Sequence, residues 1–537
     1  MMTAYRLKRY QISQEKIGED FVRVLKGRSR NLAELLERTV TEFPKKEGFV
    51  SGDRRWTFGQ FGEKVSLLAQ SLQNRFSAKK GDRIAILMET DIEYPLSFFA
   101  ITSFGGIAVP LNSRFSGEEL VYEINNSESS ILLMDEVFWE VLRPFRNQLA
   151  SVKYIFVRGS EIPQSTLPFS MLLDEPGEKP VEVELREEDV AMLMYTSGTT
   201  GYPKGAMQTH RGIIHACMLI DDIFESNPET DRMLNVLPMF HAAGTIMTSF
   251  AAIYMKVPCV YMKKFKTEKV LEILEREQIS LMVHVPTIYW LLANYPDFDR
   301  YDLRSFRVGI TGGAPKSKET FELLRKKMPW ARFVDTFGLT ETHTLDFILD
   351  HEEMADHMAA VGRVVPIEEV RIADKAGNIC GPGTPGEILI KGPKIVLGYW
   401  NNPEGTREAI RDGWLHTGDF GKIDGDGYVY VLDRIKDMIN RGGENIYSVE
   451  VENAICRNPK VAETAVIGVP DTVFGEVVKA YVILRNGERM TADELQEYCK
   501  QHLADYKIPK YVEFVGDLPR NQTGKIMKKA LRAGYGN

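Results

Sequence analysis

The stretch Tyr195 to Gly205, YTSGTTGYPKG, limits what this chain can be more than any other. It holds three glycines, three threonines, one serine and one lysine. Val190 to Met194 before it is an apolar run that reads as a buried strand, and Ile213, Ile214, Cys217, Met218 and Leu219 beyond it recur at the spacing of a helix. Glycines let backbone N–H groups approach an anion closely, hydroxyls add donors, and Lys204 adds a point charge. That set suits a polyphosphate, although a plain Gly/Ser/Thr loop has the same composition. It is not the GxxxxGK[ST] loop. Pro203 stands five residues after Gly198, and Gly205 follows Lys204 where a magnesium-binding hydroxyl would be needed.

A chain of 537 residues is too long for one core, so two or more domains are expected. Ile84 to Met88 and Ile131 to Met134 read as buried strands, the second followed by a helical stretch to about Leu149. That alternation predicts a mostly parallel sheet with helices on its faces. Tyr94 to Leu111 is uncharged over about eighteen residues, near the length of a membrane span. Pro95, Gly105-Gly106 and Pro110 break it into a buried helix, a turn and a strand. Arg363 to Gly398 is rich in Gly and Pro with short β-type runs such as Gly386 to Ile390, which predicts an antiparallel or barrel-like subdomain. Composition shifts again near Asp433. Beyond it, Ala465 to Ile467 and Ala480 to Leu484 read as strands and Thr491 to Leu503 as a helix, enough for a separate small α/β domain.

A net charge of −8 argues against nucleic acid as a partner. The N-terminus has no apolar core of a secretory signal. The five cysteines are scattered without a CxxC pair, so a disulfide framework or zinc knuckle is not expected and a reducing, cytoplasmic location is. His351 and His357 lie in HEEMADH, which is not HExxH, and no GxSxG occurs.

Thr196 to Gly205 matches [ST]SG[ST]TGxPKG at each fixed position. On that motif the chain resembles the adenylate-forming superfamily: acyl-CoA synthetases, adenylation domains of peptide synthetases and firefly-type luciferases. At least six motifs in family order carry the resemblance over nearly the whole chain. It implies that Thr196, Ser197, Gly198, Thr199, Thr200, Gly201 and Lys204 bind the β- and γ-phosphates of ATP. Pro238-Met239-Phe240-His241 resembles the P-x-F-H that lines the acyl end, and Gly313, Ala314 and Pro315 resemble the turn that packs on adenine. Asp335-Thr336-Phe337-Gly338-Leu339-Thr340-Glu341 resembles YGxTE with Phe337 in the tyrosine's place. There the aromatic stacks on adenine, Asp335 accepts from its amino group, Thr340 touches the α-phosphate side and Glu341 holds Mg²⁺.

Gly413 to Asp419 resembles GWxxTGD, with Asp419 on the ribose hydroxyls. Asp433 to Asp437 resembles the DRxKD hinge, with Arg434 near ribose and Lys436 at the pivot. Arg441, Gly442 and Gly443 fall in the loop that lines the thiol tunnel of acyl-CoA ligases, and Pro519 to Lys525 resembles PRxxxGK, whose lysine is catalytic. Candidates for the acyl pocket are His241, Ala242, Gly244, Val285, Tyr289, Gly338 and Leu339.

The fold so implied is α/β: a large N-terminal domain, 1–433, of parallel sheets layered with helices plus a small β-barrel-like subdomain, and a small mobile C-terminal α/β domain, 434–537, carrying Lys525. The activity implied is that of an AMP-forming carboxylic acid–CoA ligase using ATP, Mg²⁺ and coenzyme A on a fatty or related acid. The C-terminal stretch is similar to crotonobetaine/carnitine-CoA ligase and to medium- or long-chain fatty-acid ligases. Two alternatives remain: loading of a carrier-protein pantetheine, for which no carrier domain is attached, and a non-catalytic nucleotide-binding protein, against which Lys525 and Glu341 argue. No transmembrane segment is expected, and a homodimer is left open.

Overall fold

The computed structural model describes residues 4–17, 20–174, 181–196, 203–314, 316–442, 444–520 and 526–534. Contacts divide the chain into two compact units, 1–370 with 390–415, and 371–389 with 416–537.

The first unit is built on two sheets. One has seven strands in the order Lys204–Thr209, Val190–Thr196, Ile107–Pro110, Arg83–Leu87, Ile131–Asp135, Tyr154–Arg158, Leu167–Pro168. Every pairing after the first is parallel. The apolar residues of its central strands are buried on both faces, Ile84 and Ile86 in one hydrophobic cluster and Ala85 and Leu87 in another. The other sheet has a parallel core of Arg332–Phe337, Val308–Gly312, Leu281–His284, Met233–Asn235, Cys259–Tyr261 and Glu47–Ser51. Phe347–Leu349 extends it antiparallel beside Arg332–Phe337.

The membrane-length run resolves as expected into helix Glu93–Ser103, a turn at Gly105 with φ +76°, and strand Ile107–Pro110. Among the described residues no helix is long and apolar enough to cross a membrane.

The phosphate-type stretch does not lead straight into a helix. Lys204–Thr209 is a second strand, antiparallel to Val190–Thr196, with Thr196 opposite Lys204. Only then does helix His210–Phe224 begin, its N-terminus capped by the Thr209 hydroxyl accepting from the Gly212 N–H. A six-residue strand of mixed polarity is short of the alternation that would mark it in sequence, because its pairing partners come from elsewhere in the chain.

In the second unit, strands Val461–Asp471 and Gly475–Leu484 form a long antiparallel pair, and Tyr511–Phe514 adds parallel to the latter. Helix Ala492–Lys500 carries a capping box between Thr491 and Glu494. The Gly/Pro-rich region gives the order Glu369–Ala373, Gly386–Lys391, Trp414–Ile423, Tyr428–Arg434. The barrel-like expectation is corrected here. Glu369–Ala373 ends the row as an edge strand, so among the described residues no barrel closes.

Candidate active site

The hairpin that holds Lys204 gains a third strand-like neighbour that sequence reasoning missed. Met207 donates its N–H to Gly398 O (2.9 Å), Leu397 donates to Met207 O (3.2 Å), Trp400 donates to Gly205 O (2.8 Å), and Ala206 forms an antiparallel bridge with Tyr399. This lays residues 397–400 along the hairpin and puts Tyr399 between two predicted site residues. The Lys204 Nζ lies 5.1 Å from the centre of the Tyr399 ring. The Tyr399 hydroxyl donates to Glu341 Oε1 at 2.8 Å. Two further bonds fix the turn holding Thr340 and Glu341: Val396 N–H to Glu341 O (2.9 Å) and Gln208 Nε2 to Thr340 O (2.8 Å). Among the described residues, neither Lys204 nor Glu341 takes part in an ion pair. A lysine resting on an aromatic face keeps its charge for an anion, and a carboxylate held by a neutral hydroxyl keeps its charge for a cation.

The turn itself is strained. Strand Arg332–Phe337 ends at Gly338, where any Cβ would overlap the Leu345 backbone nitrogen. Thr340–Thr342 makes one 3₁₀ turn, and His343, Thr344 and Leu345 follow with φ of 56°, 68° and 64°. Three successive left-handed residues with side chains cost about 1–2 kcal/mol each. Surrounding contacts must hold them. His343 Nε2 accepts from Thr209 N–H (2.8 Å), and its Nδ1 faces Lys394 O at 2.6 Å, which fixes the proton on Nδ1. Burial pushes the His343 pKa down to about 3, so the neutral ring is the form present.

On the side read as adenine-binding, Gly313 has φ +73° and both it and Ala314 are exposed. Phe337 is half-buried, 5.9 Å from the Phe347 ring centre. Asp335 is buried and accepts from Thr311 Oγ1 (2.6 Å) and Lys316 Nζ (2.7 Å); burial raises its pKa. Thr336 Oγ1 donates to Thr311 O (2.9 Å), so the two strands lock side by side below the turn.

Among the acyl-pocket candidates, His241 packs on Phe240 with ring centres 4.5 Å apart, and Ala242, Val285 and Leu339 are half-buried. Gly244 is buried, and a Cβ there would overlap the Pro238 carbonyl, so that glycine serves the turn. Tyr289 lines a small internal cavity together with Met282, Leu292 and Phe306. It is fully buried, donates to Met282 O (2.8 Å) and lies edge-on to Phe333, so it packs the layer beneath the sheet.

In the second unit, Asp419 stands opposite Arg434 in the strand register, with Oδ1 2.6 Å from the guanidinium. Arg434 O accepts from Asp437 N–H (2.9 Å) and Met438 N–H (3.1 Å), which places Lys436 third in a tight turn. Burial lowers the Lys436 pKa. The Arg441 guanidinium lies 3.8 Å from the Phe474 ring centre, and Gly442 has φ +62°. Ser197, Gly198, Thr199, Thr200, Gly201, Pro315, Gly443 and Lys525 lie outside the described residues.

The chain matches two family models: AMP-binding enzyme over residues 36–400, and AMP-binding enzyme C-terminal domain over residues 450–525. A feruloyl-CoA synthase of an Amycolatopsis species is 36% identical over 486 residues, covering 90% of this chain and 95% of that protein. A long-chain-fatty-acid–CoA ligase of Mycobacterium tuberculosis is 34% identical over 510 residues, covering 94% and 99%. Among solved structures, the o-succinylbenzoate CoA synthetase of Bacillus subtilis in complex with its acyl-adenylate intermediate is similar with TM-score 0.82, 30% identity and coverage of 95% and 98%. An anthranilate CoA ligase in complex with anthranoyl-AMP is similar with TM-score 0.84, 27% identity and coverage of 94% and 96%.

Proposed function

The chain belongs to the AMP-binding enzymes and is an AMP-forming acyl-CoA ligase, and from that premise we propose how its own residues carry the two half-reactions. A carboxylate is a poor electrophile because its oxide leaves poorly. In the first half-reaction the substrate carboxylate attacks the α-phosphorus of ATP, the bond to pyrophosphate breaks, and a mixed anhydride with AMP forms. In the second the thiol of coenzyme A attacks the acyl carbonyl, loses its proton, and AMP leaves.

The observation that carries the reading is the meeting of Lys204 and Glu341 at Tyr399. Charge grows on phosphate oxygens in the first transition state, so fixed cations and donors should dominate its stabilisation. Lys204 and Thr196, paired across the hairpin, bind the β- and γ-phosphates together with Ser197, Thr199 and Thr200. Thr340 serves the α-phosphate side. Glu341 would hold Mg²⁺, a hard cation suited to carboxylate oxygen, which when bound neutralises phosphate charge. Gly313, Ala314, Phe337 and Asp335 serve adenine, the last fixed in orientation by Thr311 and Lys316. Asp419 and Arg434 serve ribose.

Lys525 supplies positive charge at the reacting centre in the first half-reaction only. Lys436 is the pivot that exchanges it for the thiol-binding residues Arg441, Gly442 and Gly443, which sets the functional boundary at 433/434. The acid is fatty or related, its apolar part received near His241, Ala242, Val285 and Leu339. Five free cysteines support residence in a reducing cytoplasm. The test is pyrophosphate release across a panel of carboxylates, followed by thioester formation on addition of coenzyme A. Pyrophosphate release followed by acylation of a carrier protein but not of coenzyme A would favour the carrier-loading alternative.

A further inference from the structure

Lys394 has no counterpart among the motif residues, yet its ammonium is fully buried and reaches the strained turn. Its Nζ lies 3.3 Å from Thr342 O, 2.9 Å from Thr344 O and 2.9 Å from Leu345 O. Two buried carboxylates complete the cage, Asp346 Oδ1 at 3.1 Å and Glu368 Oε1 at 2.9 Å. The left-handed run explains why three nearby carbonyls converge: Thr344 and Leu345 are themselves in that conformation, and Thr342 immediately precedes it. Carbonyls so gathered repel one another, and a central cation removes that repulsion. Burial opposes the charge on Lys394, but Glu368 and Asp346 outweigh it and hold its pKa above the ordinary lysine value.

The same buried group ties the turn at its near end. Asp346 Oδ2 accepts from Thr342 Oγ1 (2.6 Å) and from Leu339 N–H (3.2 Å), so one carboxylate grips the cage cation and both flanks of Thr340-Glu341. Lys394 also contributes its backbone carbonyl to His343 Nδ1. Two residues on, Val396 bonds the Glu341 carbonyl, and Tyr399 bonds its carboxylate. The 394–399 segment therefore holds the Thr340 to Leu345 turn at both ends.

We propose that Lys394 is a positioning residue for the adenylation half-reaction: a tethered cation, caged by Thr342, Thr344, Leu345, Asp346 and Glu368, that sets the strained turn so that Thr340 and Glu341 present their side chains in register. This rests on the reading of Glu341 as the Mg²⁺ ligand. It acts through the backbone and touches no reacting atom.

Lys394→Met alone leaves Asp346 and Glu368 buried without their partner and risks misfolding. The variant to use combines Lys394→Met with Asp346→Asn and Glu368→Gln, which removes all three charged groups at nearly constant volume. Three quantities are measured with the full chain: pyrophosphate release as a function of Mg²⁺, thioester formation from preformed acyl-adenylate, and melting temperature. The expected result is at least a tenfold rise in the Mg²⁺ needed for half-maximal pyrophosphate release and at least a tenfold fall in its maximal rate. Thioester formation from the adenylate stays within twofold. A merely structural role would depress both half-reactions together, or leave Mg²⁺ dependence unchanged in a folded variant, and either result overturns the proposal. Glu341→Gln is run beside it. If that change raises the Mg²⁺ requirement and the combined variant does not, Lys394 is rejected and Glu341 stands. If Glu341→Gln leaves it unchanged, the Glu341 reading falls and takes the Lys394 proposal with it.

Discussion

Replacing Lys204 by methionine removes one charge and keeps the length of the side chain. Lys204 opens the second strand of the hairpin, half-buried, with its Nζ 5.1 Å from the Tyr399 ring centre and no ion pair among the described residues. For the fold, the loss is a cation–π contact of about 0.5–1 kcal/mol, because the methionine stem keeps its packing on the ring. For the reaction, a unit charge about 4 Å from a phosphate oxygen, at an effective dielectric near 20, is worth about 4 kcal/mol. Solvent competes for a half-buried group, so we take about 2–4 kcal/mol, which is about a 30- to 1000-fold fall in the rate of pyrophosphate release. The β- and γ-phosphates leave as pyrophosphate before the thiol acts. Thioester formation from preformed acyl-adenylate should therefore stay within threefold. The assay is single-turnover pyrophosphate release, with the preformed adenylate as control and the melting temperature as check on folding. A fall of less than threefold in a folded variant would refute the placement of this ammonium on the phosphates. An equal fall in both half-reactions would make Lys204 a packing residue.

Lys525→Ala should cripple pyrophosphate release and leave the thioester half-reaction largely intact; equal loss in both, read with the same pair of assays, makes that lysine structural. Lys436→Pro fixes φ near about −65° and restricts Ile435, in a turn where Arg434 O already binds two N–H groups. Near-normal pyrophosphate release with thioester formation at least about a hundredfold slower is expected, and a common fall in both with a lower melting temperature refutes the pivot. Burial lowers the pKa of His210 to about 4, of His215 to about 3 and of His284 to about 4. The unfolded chain binds these protons first as pH drops below about 6.5, so stability is full above that pH and falls toward pH 4 by about 1.4 kcal/mol per pH unit for each ring. Denaturant unfolding between pH 7 and 4.5 checks the slope. His215→Asn or His284→Asn should make the loss shallower, and an unchanged slope in both refutes the contribution of these rings.

The linear sequence determined the α/β class, the buried helix and strand of residues 94–111, and the identity of the residues that the resemblance assigns to nucleotide chemistry. Apolar periodicity and short motifs are local, and a strand buried on both faces or a glycine-rich turn writes itself into consecutive residues. Lys204 and Glu341 could be named in this way because each sits inside a run of fixed spacing. What joins them could not. Tyr399 lies 195 positions from Lys204 and 58 from Glu341, and in sequence it is one aromatic in a Gly/Pro-rich connection. Lys394 reads as an ordinary surface lysine; only the convergence of three carbonyls and two carboxylates from residues 342–346 and 368 reveals a buried cation. The strand Lys204–Thr209 is the same case on a smaller scale, since its hydrogen bonds come from residues 190–196 on one side and 397–400 on the other. Backbone groups of a strand and charges in a core must find partners, but nothing near them in the chain says which, and that pairing is settled by the tertiary structure alone.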